Sequence, residues 1–204
     1  MVCYSQLTQR TFLHKGLRIV AKKDTIGNLV WIDLEMTGLI LETDVILEIA
    51  SVITDNNLNV IEEGPTMVIH QSEEKLAAMG KWCKEHHKKS GLTEAVLHST
   101  TTLAFAEEQT FAFIKKHCPE KTGVLSGNSI AQDRNFLQRY MPSVEAYLHY
   151  RMIDVTSVKE LVKRWYPRSP YVEYKKPEGH RARVDIYESI EELKNYRKYF
   201  FIQE

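Results

Sequence analysis

Apolar positions follow two rhythms along this chain, and the rhythm changes as the sequence proceeds. Leu29-Val30-Trp31-Ile32 is a short unbroken apolar run, which predicts a strand buried on both faces. Residues 45–54 and 66–70 read as two further strands. Asp55-Asn56-Asn57 between them is a turn signal, because such side chains bond their own backbone two residues on. These segments together predict an antiparallel meander.

A helical spacing takes over at 73–86 and again at 103–118. Val124-Leu125-Ser126 predicts a short strand ending at Gly127-Asn128, then a helix through Tyr140 that Pro142 should stop. Met152-Ile153 predicts one more strand, running into a helix over 156–165. After a Pro/Tyr/Lys-rich loop at 166–179, a final helix is expected over 182–200. Strands first, then strands alternating with helices, predict an α/β architecture: a mixed β-sheet flanked by α-helices.

Composition changes this picture only at its edges. With 204 residues, 43% hydrophobic and 26% charged, the chain has material for one well-filled domain. No run of 18 apolar residues occurs, so no membrane-spanning helix is expected. Cys3, Cys83 and Cys118 are scattered and odd in number, which argues for a reducing compartment and against a thiolate zinc site. Basic and acidic residues balance at 27 each, but residues 1–27 hold five basic residues against Asp24 alone, a net +4. The remaining 22 basic and 26 acidic residues leave the body at −4. An acidic body is poorly suited to gripping long nucleic acid, which needs many phosphate contacts, whereas a small anionic substrate remains allowed. Residues 1–27 read either as a mitochondrial transit peptide or as a disordered basic tail, and a single folded domain is expected over 28–204.

The candidate chemistry lies in carboxylates. Asp33 and Glu35 sit two apart directly after the apolar run, so on a strand they point to one face. Among 27 acids in 204 residues, about three or four such pairs arise by chance, so the pair alone is weak. Its place at the end of a core strand is what calls for a cation between the two charges. Asp133 follows Gly127-Asn128-Ser129 near a helix start. It reads as a first-turn acid favoured by the helix dipole or as a third carboxylate at a strand-to-helix junction. His180 and Asp185 form His-x-x-x-x-Asp across the start of the final helix. Four carboxylates can hold two divalent cations that generate hydroxide and stabilise the leaving oxygen of a phosphodiester. An imidazole can take the proton from the attacking water. Oxygen-only ligation favours Mg²⁺ or Mn²⁺ over zinc.

Three segments in order then carry a resemblance. Residues 31–39 (WIDLEMTGL), 127–133 (GNSIAQD) and 149–155 (HYRMIDV), with Lys81-Trp82-Cys83 and Ser90-Gly91-Leu92 between, resemble the oligoribonucleases, members of the DEDDh class of 3′→5′ exonucleases. The match runs over about residues 28–200. It implies an RNase H-like fold in a single domain, a homodimer, and two divalent cations held by Asp33, Glu35, Asp133 and Asp185. It also implies His180 and Tyr150 as catalytic residues, with His180 as general base. Leu39, Trp82, His87, Ser129, Arg151 and Thr156 become the implied substrate contacts, and Ser129, Tyr150, Arg151 and Thr156 close around the 5′ end, some from a partner subunit. Substrates would be dinucleotides and short RNA oligonucleotides, with the mitochondrion as the expected location and the cytoplasm left open.

Departures from the family pattern are confined to three places. After His180 the family usually continues with an apolar residue and two consecutive acids, whereas here Arg183 and Val184 precede a single acid, Asp185. Ala131 stands where glycine is frequent, and the basic tail of animal members is nearly absent. Two rival functions stand beside this one: a general exonuclease of the same class on longer RNA or DNA, and, because Arg183 could perturb the helix start that positions His180 and Asp185, a catalytically impaired dimer that binds dinucleotides. Without the resemblance, Trp82 on a helix would be read as core.

Overall fold

The computed structural model describes residues 27–174 and 181–202. The basic segment before Gly27, the end of the Pro/Tyr/Lys-rich loop, and His180 lie outside the described residues. The first strand, β1 (Leu29–Met36), is apolar on both sides because both sides are covered. Val30, Ile32 and Leu34 join one core cluster, and Leu29 and Trp31 join another across the sheet. β2 (Ile46–Thr54) is buried along its whole length and pairs antiparallel with β1. Trp31 is fully buried, and its Nε1–H donates to Thr54 Oγ1 at 2.9 Å.

β3 (Val60–Val68) is the edge strand, antiparallel to β2 with two irregularities in register. It starts six residues earlier than the apolar pattern predicts. The reason lies in its position: an edge strand need not be apolar, and it tolerates Pro65, which has no N–H to give. Successive residues face opposite layers. Glu62 binds Lys116 at 2.7 Å and lies 3.1 Å from His117. Glu63 accepts the Tyr187 hydroxyl at 2.5 Å.

The expected helix at 73–86 is two helices, α1 (Glu73–Ala77) and α2 (Lys81–Lys89). Ser72 caps the first, and Gly80 takes an extended conformation that breaks the spiral. A short α3 (Leu92–His98), not anticipated from the pattern, starts after Gly91 at φ 74°. α4 (Leu103–His117) then leads to β4 (Val124–Gly127), parallel to β1. α5 (Ala131–Tyr140) ends as expected, but Pro142 also opens α6 (Pro142–Tyr147), since proline suits a first helical turn. β5 (Met152–Asp154) pairs parallel with β4 and runs into α7 (Val155–Trp165). α8 (Ala182–Phe200) closes the chain with the bounds that the sequence predicts.

The five-stranded sheet has the order β3-β2-β1-β4-β5. On one face Phe113, Ile114, Phe136, Leu137, Met141 and Val144 pack onto the first cluster. On the other, Val155, Val162, Ala182, Ile186, Ile190 and Tyr196 pack onto the second. Each large side chain so buried contributes about 1.5–3 kcal/mol, and truncating one such as Phe136 to Ala would cost about 3–5 kcal/mol. The sheet is therefore rigid where its central strand carries acids. Among the described residues, no helix is long and apolar enough to cross a membrane.

Candidate active site

Alternation along β1 decides where its acids go. Leu29 and Trp31 face the layer of α7 and α8, and Asp33 and Glu35 continue the same side. α8 lies against that side and carries Asp185 in its first turn. Oxygen atoms of Asp33, Glu35 and Asp185 all lie within 4.8 Å of one another. Asp133 comes from the opposite layer. β4 pairs with β1 only as far as Trp31, and beyond that point Asp133 Oδ1 accepts the N–H of Leu34 at 3.0 Å. The first turn of α5 thus fills the gap that the short strand leaves.

Crowding and burial show in the electrostatics. Burial raises the Glu35 pKa to about 7, helped by the charges of Asp185, Glu48 and Asp133 and opposed by Arg181. Burial likewise pushes Asp133 up to about 7, against the pull of the Leu34 N–H and its own. Ordinary carboxyls would be fully ionised well below that pH. A site of carboxylate oxygens that holds protons near neutrality is suited to exchange them for a hard divalent cation. The donor set contains no sulfur, so the residues present fit Mg²⁺ or Mn²⁺.

The remaining sequence-predicted residues fall into groups. Leu39 is 63% exposed on the loop after β1. Asp44 braces that loop, accepting from Thr37 Oγ1 and from the Ile40 N–H, each at 2.8 Å. A Cβ at Gly38 would lie 2.5 Å from Asp44 Oδ2, so only glycine leaves room for this brace. Trp82 is 61% exposed rather than core, and it stacks on His86 with ring centroids 3.8 Å apart. α2 is polar nearly all round, which gives an indole no apolar layer to enter. His87 is buried behind the carboxylates. Its Nε2–H donates to the Met36 carbonyl at 2.9 Å, and Nδ1 lies 3.9 Å from Glu35 Oε2.

Ser129 and Thr156 are brought together. Ser129, at φ 51°, gives its N–H to Asp154 Oδ1 at 2.9 Å and to Thr156 Oγ1 at 3.0 Å. The two hydroxyls are 3.2 Å apart. Tyr150 is 70% exposed, with the Arg151 guanidinium 5.3 Å from its ring centroid. Arg134 holds this segment by donating to the carbonyls of Tyr150 and His149. No ion pair or hydrogen bond among the described residues joins Tyr150 or Arg151 to the carboxylate group. His180 lies outside the described residues.

Four residues escaped the sequence reading: Glu48, Arg181, Asp44 and Asp154. Glu48 left a signal, since a lone acid inside the buried run of β2 is rare unless paired. Arg181 supplies the pairing. Its Nε and Nη2 donate to both Glu48 oxygens, with the shortest contact 2.5 Å. The other departures look outward: Arg183 lies 3.6 Å from Glu63 on the edge strand, and Val184 is 44% exposed.

Known proteins give the same picture. The Exonuclease (RNase_T) family model matches residues 30–193. Mitochondrial oligoribonuclease of Homo sapiens is 48% identical over 186 residues, covering 91% of this chain and 78% of the relative. Oligoribonuclease of Pseudomonas syringae pv. tomato is 53% identical over 173 residues, covering 85% and 96%. Among solved structures, exonuclease I of Methylocaldum szegediense is similar with a TM-score of 0.66 at 15% identity, covering 85% of this chain. This chain spans 41% of that structure, and the likeness shows the exonuclease fold alone.

Proposed function

The chain belongs to the oligoribonuclease family of exonucleases, and on that premise we propose a division of labour among its residues. It is a 3′→5′ exoribonuclease acting on short oligoribonucleotides. The products would be 5′-mononucleotides. The observation that carries the mechanism is the convergence of Asp33, Glu35 and Asp185 within 4.8 Å, with Asp133 against the same strand.

These four carboxylates would hold two divalent cations, Mg²⁺ or Mn²⁺. When bound, such ions activate the attacking water and stabilise charge on the phosphodiester. Asp33 and Glu35 present their oxygens from a rigid strand, and Asp185 meets them from α8. His180, one residue before Arg181 in the chain, would take the proton from the water. Leu39 and Trp82, both exposed on braced elements, offer apolar and aromatic faces for base stacking without sequence preference. Ser129 and Thr156, whose hydroxyls lie 3.2 Å apart, would supply hydroxyl donors to the substrate. His87, buried behind Glu35, would steady that ligand rather than meet the substrate broadly.

Tyr150 and Arg151, exposed and remote from any carboxylate bond, suit a role completed by a second copy. A homodimer is supported by an apolar face on α7 and the chain end. There Leu161, Trp165, Tyr166, Phe201 and Ile202 are all exposed, around a cleft of about 550 Å³. A site closed at the 5′ end in this way would admit dinucleotides and short RNA best. The mitochondrial names of the human and bovine relatives and the basic residues 1–27 support a mitochondrial location, with 28–204 as the exonuclease domain.

The deciding experiment is a product time course on 5′-labelled RNAs of two, three, five and twenty nucleotides, with Mn²⁺ and with EDTA. Cleavage that is metal-dependent and fastest on the shortest RNA is expected. Equal rates on all lengths would make this a general exonuclease. Absence of cleavage would leave a dinucleotide-binding dimer.

A further inference from the structure

Glu48 stands fully buried near the start of β2, directly across from Glu35 in the β1–β2 register. A carboxylate removed from water costs several kcal/mol unless it is paired and hydrogen-bonded. Here both oxygens are engaged. Oε1 accepts from Arg181 Nε and Nη2 at 3.1 and 2.5 Å. Oε2 accepts from Arg181 Nε at 3.0 Å and from the Ala182 N–H at 3.2 Å.

This last bond makes Glu48 the cap of α8. Arg181 occupies the N-cap in an extended conformation, and its own side chain caps nothing. The first turn hangs from the same residue, since the N–H groups of Val184 and Asp185 donate to the Arg181 carbonyl at 2.8 and 3.1 Å. Arg181 therefore grips β2 with its side chain and Asp185 with its backbone. Glu35 faces Glu48 on one side and Asp185 on the other, so the clamp spans the carboxylate group.

We propose that Arg181 and Glu48 form a positioning pair that fixes Asp185 against Asp33 and Glu35 and keeps Glu48 itself off the cation. The pair rests on the metal-dependent reading above. With its oxygens saturated, Glu48 cannot serve as a competing ligand beside Glu35. Without Arg181, a buried carboxylate would face the site with its charge uncompensated, and the first turn of α8 would lose its tie to the sheet. Catalytic geometry suffers from displacements of about 1 Å.

The test compares the full-length protein with Arg181→Met, Arg181→Lys and Glu48→Gln. Mn²⁺ binding is measured by calorimetry in the absence of RNA, alongside kcat, KM for a dinucleotide and Tm. For Arg181→Met, the Kd for Mn²⁺ should rise about tenfold and kcat should fall about tenfold or more, as for other outer partners of metal ligands. KM should change by less than about threefold, because the pair acts on chemistry rather than on substrate grip. Arg181→Lys should recover part of kcat, limited by the loss of the forked geometry. Glu48→Gln, which keeps a carbonyl for the Ala182 N–H, should fall between. A folded Arg181→Met protein with wild-type Mn²⁺ affinity and kcat overturns the proposal, as does a loss confined to KM. If Arg181→Met does not fold, unchanged Mn²⁺ affinity and kcat in Glu48→Gln overturn it equally. A wild-type protein whose Mn²⁺ affinity depends on this pair but which cleaves no RNA would sink the exoribonuclease reading and leave the positioning pair standing.

Discussion

Two regions meet beyond the C-terminal ends of β1 and β4, and they are built in opposite ways. The carboxylate region draws Asp33, Glu35, Asp133 and Asp185 from a central strand and two helices that pack on opposite faces of the sheet. It is half-buried, with Asp133 fully so, and it is made of carboxylates alone. The hydroxyl region draws Ser129 from a strained turn and Thr156 from the start of α7, and the exposed Tyr150 and Arg151 follow on the neighbouring segment. It offers donors and faces solvent. On the function proposed above, the contrast separates two tasks. Charge stabilisation during hydrolysis demands groups fixed before the substrate arrives, so it belongs on elements that the core holds rigid. Choosing substrate length asks only that one end be covered, and exposed side chains suffice for that.

The contrast is broken most severely at the ligands. Asp33→Ala or Asp185→Ala should lower turnover by more than about a hundredfold, beyond what loss of an outer partner costs. Circular dichroism and sedimentation should show an unchanged fold and assembly. A near-normal rate in either variant would end the carboxylate assignment.

Next in size is the response to pH and metal. Glu35 holds its proton up to about pH 7 in the folded chain, against the ordinary 4.5. The metal-free protein gains stability from that proton below the ordinary value, and loses the gain as pH rises through about 7. A divalent cation replaces the proton, so the rise in Tm on adding Mg²⁺ should be larger at pH 8 than at pH 6. An equal rise at both would detach the carboxyl shift from metal binding.

Tyr150→Ala should sharpen the comparison from the other side. On the proposed closure it removes part of the end cover, so dinucleotide cleavage should fall about tenfold while hydrolysis of a twenty-mer changes little, leaving Mn²⁺ affinity untouched. A parallel loss on both substrates would move Tyr150 into the hydrolytic group. The smallest effect is expected at Arg183→Leu. Its guanidinium lies 3.6 Å from Glu63 in an exposed pair, and such pairs contribute about 0–1 kcal/mol. Activity should stay within about twofold of wild type, measured on the dinucleotide.

Much of this was readable from the chain, and the failures have causes. β1, β2, α4 and α8 announced themselves because they bury continuous runs or stripes, and Asp33 and Glu35 stood out at the end of such a run. β3 was cut short because an edge strand with Glu62, Glu63 and Pro65 carries no apolar rhythm. The break between α1 and α2 hid because Met79 sustains the helical spacing while Gly80 abandons the helix. Asp133 remained ambiguous, since its bond to the Leu34 N–H depends on how far β4 runs beside β1, which no local pattern encodes. Glu48 and Arg181 are 133 residues apart, and only the register of two strands reveals that they share a site with Glu35.

The edge strand has a further consequence, for the protein's behaviour at high concentration. A bare sheet edge is a template on which another chain can add a strand, and repeated addition leads to fibres. β3 resists this without being covered. Pro65 withholds one donor, the two register irregularities twist the ladder, and Glu62 and Glu63 are tied to α4 and α8 on opposite faces. Arg183, the departure that looked like a threat to catalysis, adds one of those ties. It helps the sheet to end at β3, and so helps to keep a family of copies from becoming a filament.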